Sequence, residues 1–210
     1  MEVAIAAPFV FLDRLAHVLK STPFKLAAQN VYWESKGAFT GEVSCAMLND
    51  LCVEYVIIGH SERRQYFGET DQTVSRKIKA CIDVNLIPIL CLGESLEERK
   101  ANQTFSVIEK QVQAAVSGLK NLDALVVAYE PIWAIGTGIT ATTQQAQEVH
   151  SFIRSLLAKQ FAGTDKLRIL YGGSMNASNS KELLQQSDID GGLVGGASLD
   201  ARSFLEILNS

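Results

Sequence analysis

The sequence predicts an α/β fold in which strand–helix units repeat around a parallel sheet. Short apolar runs recur seven times over 210 residues, roughly one per 30 residues, and stretches with helical periodicity separate them. Most of the runs are almost continuously apolar rather than alternating, which is typical of parallel strands buried on both faces. They span residues 3–7, 25–29, 55–59, 86–91, 125–129, 167–171 and 191–194. No linker or low-complexity tract divides the chain, so we predict one domain over residues 1–210.

The segments between the strands carry helix signals. Apolar residues recur at helical spacing in two stripes, formed by Ile108, Val112, Ala115 and Leu119 and by Val149, Phe152, Ile153 and Leu156. Three pairs match the capping box that starts a helix, namely Ser95 with Glu98, Thr142 with Gln145, and Asn179 with Glu182. These signals predict amphipathic helices that pack one face on the sheet.

Composition excludes several classes of protein. With 47% hydrophobic residues, 20% charged residues and a net charge of −4, the chain is typical of a globular protein and lacks a basic footprint for nucleic acid. No apolar run approaches the roughly 18 residues that a membrane span needs. The four cysteines form no Cys-x-x-Cys pair and have no histidine at metal-ligand spacing. We therefore expect a cytoplasmic protein without nucleic-acid partner, membrane attachment, disulfides or bound metal.

The number of units leaves two architectures open. A closed (β/α)8 barrel has eight units in about 250 residues, whereas this sequence has seven and opens directly on a strand. The chain is either an open, doubly wound sheet or a barrel that lacks one unit at its N-terminus. No Gly-x-Gly-x-x-Gly follows the first strand, which disfavours the dinucleotide-binding version of the open sheet.

Two titratable residues directly follow predicted strands. Glu130 follows the run 125–129, and His60 follows the run 55–59. Because sites in parallel α/β folds form at the carboxyl ends of strands, we expect both side chains on one face of the sheet. A partly desolvated carboxylate is a better general base, and a histidine beside it can donate or accept a proton. The alternatives are a salt-bridged strand-end glutamate and a structural histidine.

Two Gly-Gly turns follow consecutive strands. They are Gly172-Gly173, which precedes Ser174, and Gly195-Gly196. Glycine-rich turns before helices expose backbone N–H groups that bind anions without Lys or Arg, so the pattern favours a phosphate site. The alternative is that these glycines only permit tight turns.

The segment 131–138 is a loop with three large apolar residues in its middle, Ile132, Trp133 and Ile135. Such a loop needs apolar surface to cover, which predicts a lid that closes over Glu130 and excludes water. The alternative is a loop that stays docked on the core.

Several longer motifs together resemble one family. They are Ala-Gln-Asn-Val at 28–31, Gly-Ala-Phe-Thr-Gly-Glu at 37–42, Gly-His-Ser-Glu-Arg-Arg at 59–64, Ala-Tyr-Glu-Pro-Ile-Trp-Ala-Ile-Gly-Thr-Gly at 128–138 and Tyr-Gly-Gly-Ser at 171–174. In this order they resemble the triosephosphate isomerase family, and the resemblance runs from the first residue to the last. It implies a fold of the (β/α)8 TIM barrel family with seven β/α units in this chain, and it implies no cofactor.

The resemblance implies the interconversion of dihydroxyacetone phosphate and glyceraldehyde 3-phosphate through an enediolate, a step of glycolysis and gluconeogenesis. Glu130 would be the base that moves the proton between two carbons, and neutral His60 would polarise the carbonyl. The phosphate of this small-molecule substrate would sit on backbone N–H groups at the following positions: Gly136, Ser174, Gly195 and Gly196.

Other residues would support these by resemblance. Ser61 and Glu62 start the helix after His60, Cys91 packs behind Glu130, and Tyr171 hydrogen-bonds the closed lid near Ala141. The family also forms homodimers, in which the loop 29–42 inserts into the partner subunit. The cytoplasm is the expected location, with a plastid form as the alternative.

The resemblance has one departure. The family's first strand ends in an Asn-x-Lys motif, and Met1 falls at what matches the second strand. We therefore expect this chain to lack that ammonium, to turn over slowly and to form the dimer poorly. Three interpretations follow: a shortened triosephosphate isomerase, a catalytically impaired remnant that only binds phosphate, and another phosphate-binding barrel enzyme.

Overall fold

The computed structural model describes residues 1–135 and 140–210. The chain divides into two compact units, of which the first holds residues 1–90 and 114–120 and the second holds residues 91–113 and 121–210. One domain over residues 1–210 therefore stays a prediction.

All seven predicted strands are confirmed, each end within two residues. They are β1 (Ala4–Ala7), β2 (Lys25–Ala28), β3 (Tyr55–Ile58), β4 (Ile87–Leu92), β5 (Val126–Tyr129), β6 (Arg168–Tyr171) and β7 (Gly191–Gly192). The strands follow one another in the sheet in chain order. Pairing is parallel between β1 and β2, β2 and β3, β3 and β4, β5 and β6, and β6 and β7. Sequential order with parallel pairing confirms the α/β class and excludes the doubly wound alternative, in which the strand order reverses.

The described helices lie between the strands. They are α1 (Phe9–Leu19), α2 (Cys45–Asp50), α3 (Ser61–Tyr66), α4 (Asp71–Ile82), α5 (Leu96–Lys100), α6 (Thr104–Val116), α7 (Thr143–Ala158), α8 (Ser180–Leu184) and α9 (Ala201–Leu208). Two 3-10 turns, Ile132–Ala134 and Gly196–Leu199, follow β5 and β7.

In the first unit, helix α4 packs against strand β3. Every residue of β3 is buried, as the continuous apolar run predicts. Helix α4 buries four residues at spacings of three or four, which places them on one face: Val74, Lys77, Ile78 and Cys81. Lys77 is the one charged residue among these four. Its buried ammonium is paired, because Nζ donates to the Glu69 carboxylate at 2.8 Å and to the Asn30 side-chain oxygen at 2.7 Å.

The second unit is organised around β5 and β6, which pair from Val126 with Arg168 to Tyr129 with Tyr171. The predicted stripe on α7 is buried at Val149, Ile153 and Leu156. A core cluster also forms behind β6 from buried apolar residues: Ala141, Ala146, Tyr171, Met175, Leu183, Ile189 and Ile207. This packing fixes the carboxyl ends of β5 and β6 side by side.

Two of the three predicted capping boxes are confirmed, at Ser95 and Thr142. The third is wrong, because the Asn179 side chain makes no cap hydrogen bond to α8. Its oxygen instead accepts from the N–H of Asn176 at 2.8 Å, and its amide donates to the Ser174 carbonyl at 3.0 Å. The side chain therefore stabilises the loop before the helix. Thr70 forms a box that the sequence reading missed, with a threonine rather than Glu or Gln at its third position.

All four cysteines are free, but they differ in exposure. Cys45, Cys81 and Cys91 are buried, whereas Cys52 is exposed. Among the described residues, no helix has both the length and the apolar character needed to cross a membrane.

Candidate active site

Glu130 follows β5 directly and is almost fully buried, with 1% of its surface exposed. Its backbone N–H donates to the Leu92 carbonyl at 2.8 Å, which continues the ladder between β4 and β5 by one residue. Gly93 packs against the carbonyl group of the same residue: a Cβ at Gly93 would overlap the Glu130 carbonyl oxygen and lie 2.7 Å from the carbonyl carbon. The backbone of Glu130 is therefore held on one side by a strand and on the other by a glycine.

The Glu130 side chain lies over β6. A Cβ at Gly172 would come within 2.9 Å of Glu130 Cγ, so the missing side chain of Gly172 leaves the room that the carboxylate arm occupies. The Gly172 N–H donates to the Tyr129 carbonyl at 2.7 Å. Gly172 thus leaves room for the side chain of Glu130, and Gly93 leaves room for its backbone.

Gln111 on α6 holds the Gly93 peptide from behind. Its side-chain oxygen accepts from the Gly93 N–H at 2.9 Å, and its amide donates to the Gly93 carbonyl at 3.0 Å. Both backbone polar groups of Gly93 are therefore satisfied by one side chain. Sequence reasoning missed Gln111, because a glutamine on a helix carries no signal of its partner.

A second acidic residue close to a strand end, Glu94, was missed as a functional candidate. Glu94 has none of its surface exposed, and its carboxylate accepts from Tyr129 Oη at 3.1 Å and from Trp133 Nε1 at 2.9 Å. Arg99 neutralises it at 2.9 Å and stacks its guanidinium 4.7 Å from the Trp133 ring centroid. Burial and the nearby Glu94 charge raise the pKa of Tyr129 far above its usual range. Glu94 thereby ties β5 to the start of the segment 131–138.

His60 follows β3 after Gly59 and caps α3. Its Nδ1 accepts from the Glu62 N–H at 3.3 Å, and the Glu62 carboxylate lies 3.7 Å from the same atom. Because an accepting Nδ1 carries no proton, the neutral ring has its proton on Nε2. Arg64 donates to the Gly59 carbonyl at 2.8 Å and pairs with Asp71, which fixes the turn that carries His60. Ser61 is buried as the first residue of α3.

The two Gly-Gly turns differ. Gly195 and Gly196 are exposed, a Cβ at either would meet nothing within 4 Å, and Gly196 starts a 3-10 turn. After Gly173, by contrast, the next helix begins only at Ser180. The prediction that both turns lead directly into helices is therefore wrong for Gly172-Gly173.

The predicted supporting residues Cys91 and Tyr171 lie in two different strands. Cys91 lies in β4 and is fully buried. Tyr171 ends β6, and its buried hydroxyl has no hydrogen bond of ordinary geometry among the described residues. Burial raises the pKa of Tyr171 to about 12, against a smaller opposite effect of the Ala141 backbone. Gly136 lies outside the described residues, as do the other residues of 136–139.

His60 belongs to the first unit and Glu130 to the second, so the prediction that the two residues form one site stays a prediction.

Comparison with known proteins gives the same family over the whole length of the chain. The sequence profile of the family described as Triosephosphate isomerase matches residues 1–210. A protein from Alkaliphilus oremlandii named Triosephosphate isomerase is 54% identical over 213 residues, which cover 100% of this chain and 86% of that protein. Proteins of the same name from Endomicrobium trichonymphae and Clostridium tetani are each 53% identical, over 99% of this chain and 84% and 83% of their own lengths. The chain therefore belongs to the triosephosphate isomerase family.

Proposed function

We propose that this chain interconverts dihydroxyacetone phosphate and glyceraldehyde 3-phosphate, the isomerisation that links these two triose phosphates in glycolysis and gluconeogenesis. The observation that carries the proposal is the full-length match, with relatives of this name at 50–54% identity over the whole of this chain. The match favours the isomerase over the phosphate-binding remnant and over a different phosphate-binding barrel enzyme. The parallel sheet in chain order also supports a TIM barrel with seven β/α units in this chain.

In the proposed reaction, Glu130 removes a proton from one substrate carbon and returns it to the next. The burial of this carboxylate and its contact with Gly172 support the role, because a base held in one place and shielded from water transfers protons efficiently. Cys91 is proposed to pack behind it.

His60 is proposed to act as the neutral acid at the substrate oxygens. With Nδ1 accepting from the start of α3, the neutral ring has an Nε2–H to donate to a carbonyl and, later, to the enediolate. Ser61 and Glu62 would hold the ring by their positions in the first turn of α3.

The phosphate is proposed to bind backbone N–H groups rather than Lys or Arg. Gly195 and Gly196 support this, since they are exposed and have open space where side chains would stand. Ser174 and Gly136 are proposed to complete the site. The hydroxyl of Tyr171, buried and without an ordinary hydrogen bond among the described residues, is proposed to bind the closed lid near Ala141.

Homodimer formation through the loop 29–42 is proposed on the exposed apolar surface of the first unit. Phe39 in this loop is 40% exposed, and Met47, Tyr66 and Phe67 are each more than half exposed. Large exposed side chains of this kind are typical of interfaces. The cytoplasm is the proposed location.

Replacing the proposed base tests the function. In a coupled isomerase assay, Glu130→Gln should lower kcat by about 10²–10⁴ while leaving KM within a few fold, because general-base catalysis contributes on that scale. Glu94→Gln serves as the control carboxylate, and it should retain more activity than Glu130→Gln. Equal turnover of wild type and Glu130→Gln would contradict the assigned role.

A further inference from the structure

Two buried thiols of the first unit face each other across α2 and α4. Cys45 is the first residue of α2, Cys81 lies one residue before the end of α4, and their sulfurs are 3.9 Å apart. A disulfide requires about 2.05 Å between sulfurs, so a shift of roughly 2 Å would bond them. The site and mechanism proposed above use neither residue.

Cys45 lines a cavity of the first unit. A space of about 360 Å³ opens against Cys45 and is walled by Trp33, Arg76, Lys79 and Asp83, among others. Cys81 lies behind Cys45 with none of its surface exposed. A small solute in this cavity would therefore meet Cys45 first.

The two thiols also differ in the direction in which their pKa values are shifted. The hydrogen bond between the two sulfurs lowers the pKa of Cys45, although burial and the Asp83 charge act in the opposite direction. The same hydrogen bond, together with burial, raises the pKa of Cys81 well above its usual range, against a small effect of Lys77. Two cations, Arg76 and Lys79, line the cavity beside Cys45. Reactivity toward oxidants depends on thiolate character, and the cysteine whose pKa is lowered is the one that lines the cavity.

We propose that Cys45 and Cys81 are a modification site for hydrogen peroxide, in which Cys45 is oxidised and Cys81 resolves it as an intramolecular disulfide. The Cys45 thiolate attacks one peroxide oxygen, the O–O bond breaks, and the leaving hydroxide takes up a proton to become water. Cys81 then attacks the sulfur of the Cys45 sulfenic acid, an S–S bond forms, and hydroxide leaves with the Cys81 proton as a second water. Two thiols lose two electrons, and one peroxide becomes two waters.

The bond would constrain the region where the loop 29–42 rejoins the fold. Ser44, which precedes Cys45, caps α2 and pairs with Tyr32, whose N–H donates to the Val43 carbonyl at 2.8 Å. Oxidation would therefore fasten the end of this loop to the C-terminal turn of α4. This proposal goes beyond the isomerase activity and does not depend on it.

The test is chemical and uses the unmodified chain. Reduced protein is treated with hydrogen peroxide under native conditions, blocked with iodoacetamide in denaturant, and digested without reductant for mass spectrometry. We expect a peptide pair joined through Cys45 and Cys81, two hydrogens lighter than the sum, and the loss of two of the four thiols, restored by dithiothreitol. The pair should form faster in native protein than in urea, where the two cysteines are separated.

Variants separate the two steps. In Cys81→Ser, dimedone should trap a sulfenic acid at Cys45, and the crosslinked peptide should be absent. Cys52→Ser is the matched control: it removes the exposed thiol and should leave the yield of the Cys45–Cys81 crosslink unchanged. The proposal would be overturned if peroxide oxidised Cys52 in wild type while Cys45 and Cys81 both remained alkylatable, or if the crosslink formed only in urea.

Discussion

The second unit contains two glycine-rich regions that look alike in sequence and differ in structure. Around Glu130, the positions of the missing side chains at Gly93, Gly172 and Gly173 are already filled by other atoms. At Gly195 and Gly196 the same positions are open to solvent. In the first region glycine is needed so that backbone and side chains can pack, and in the second it leaves the backbone accessible to a ligand.

The difference matters because the two regions respond to substitution in different ways. A Cβ added to a filled position must displace its neighbours, which lowers the free energy of unfolding. A Cβ added to an open position changes stability little, and it acts instead on whatever approaches the backbone. Stability and anion affinity should therefore separate between the two regions.

The largest effect is expected at Gly93. In Gly93→Ala the new methyl would overlap the Glu130 carbonyl oxygen, which is backbone held by the hydrogen bond to Leu92 and cannot rotate away. We expect a loss of about 3 kcal/mol or more in the free energy of unfolding. Urea unfolding followed by circular dichroism measures it, and an unchanged midpoint would show that the chain near Glu130 gives way easily.

Gly173→Ala should have the next largest effect, about 1–3 kcal/mol. Its Cβ would collide with the Tyr171 hydroxyl and lie 2.9 Å from Pro131 Cγ. Because the hydroxyl is the nearest atom, the double variant Gly173→Ala with Tyr171→Phe should recover part of the loss. A double-mutant cycle in urea measures the coupling. Strict additivity would mean that the hydroxyl does not cause the strain, which would then come from the Tyr171 ring carbon Cζ at 2.5 Å or from Pro131.

At Gly195 we expect a change in binding rather than in stability. Gly195→Ala and Gly195→Val should alter the free energy of unfolding by no more than about 0.5 kcal/mol, since a Cβ there meets nothing within 4 Å. Phosphate or sulfate affinity, measured by calorimetry, should weaken in Gly195→Val more than in Gly195→Ala, because the larger side chain blocks the backbone N–H groups. Equal affinities in all three proteins would indicate that this glycine serves only the turn.

The smallest effect is expected from the exposed cap that follows the open turn. Hydrogen bonds from Ser203 hold the pKa of Asp200 below its usual range. A lowered pKa in the folded state means that this carboxylate stabilises the protein above its unfolded pKa, and that the contribution is lost as pH falls through the folded value. The Tm difference between wild type and Asp200→Ala should therefore shrink below about pH 4. A difference that stays constant from pH 7 to pH 2 would argue against a charged cap. The packing effect at Gly93 should show no such pH dependence.

Features that depend on neighbours along the chain were predictable. Short apolar runs located the seven strands. The run is continuous where the strand is buried throughout, as in β3 and β5, because such a strand packs on both faces. Ser95 and Thr142 were identified as caps, because a capping box is made within four residues. Asn179 shows the limit of this reasoning, since the loop before α8 uses its side chain for Asn176 and Ser174.

By itself, the sequence determined the α/β class and the strand ends after which Glu130 and His60 stand. The unit count left two architectures open, and the order of the strands in the sheet decided between them. Tertiary structure alone decided which glycines are packed, that Gln111 holds the Gly93 peptide, and that Cys45 faces Cys81 across 36 positions of chain. The physical reason is the range of the forces involved. Hydrophobic burial and helix capping leave periodic or local patterns in the chain, whereas steric contact and side-chain hydrogen bonds depend on distances that exist only after the elements have packed.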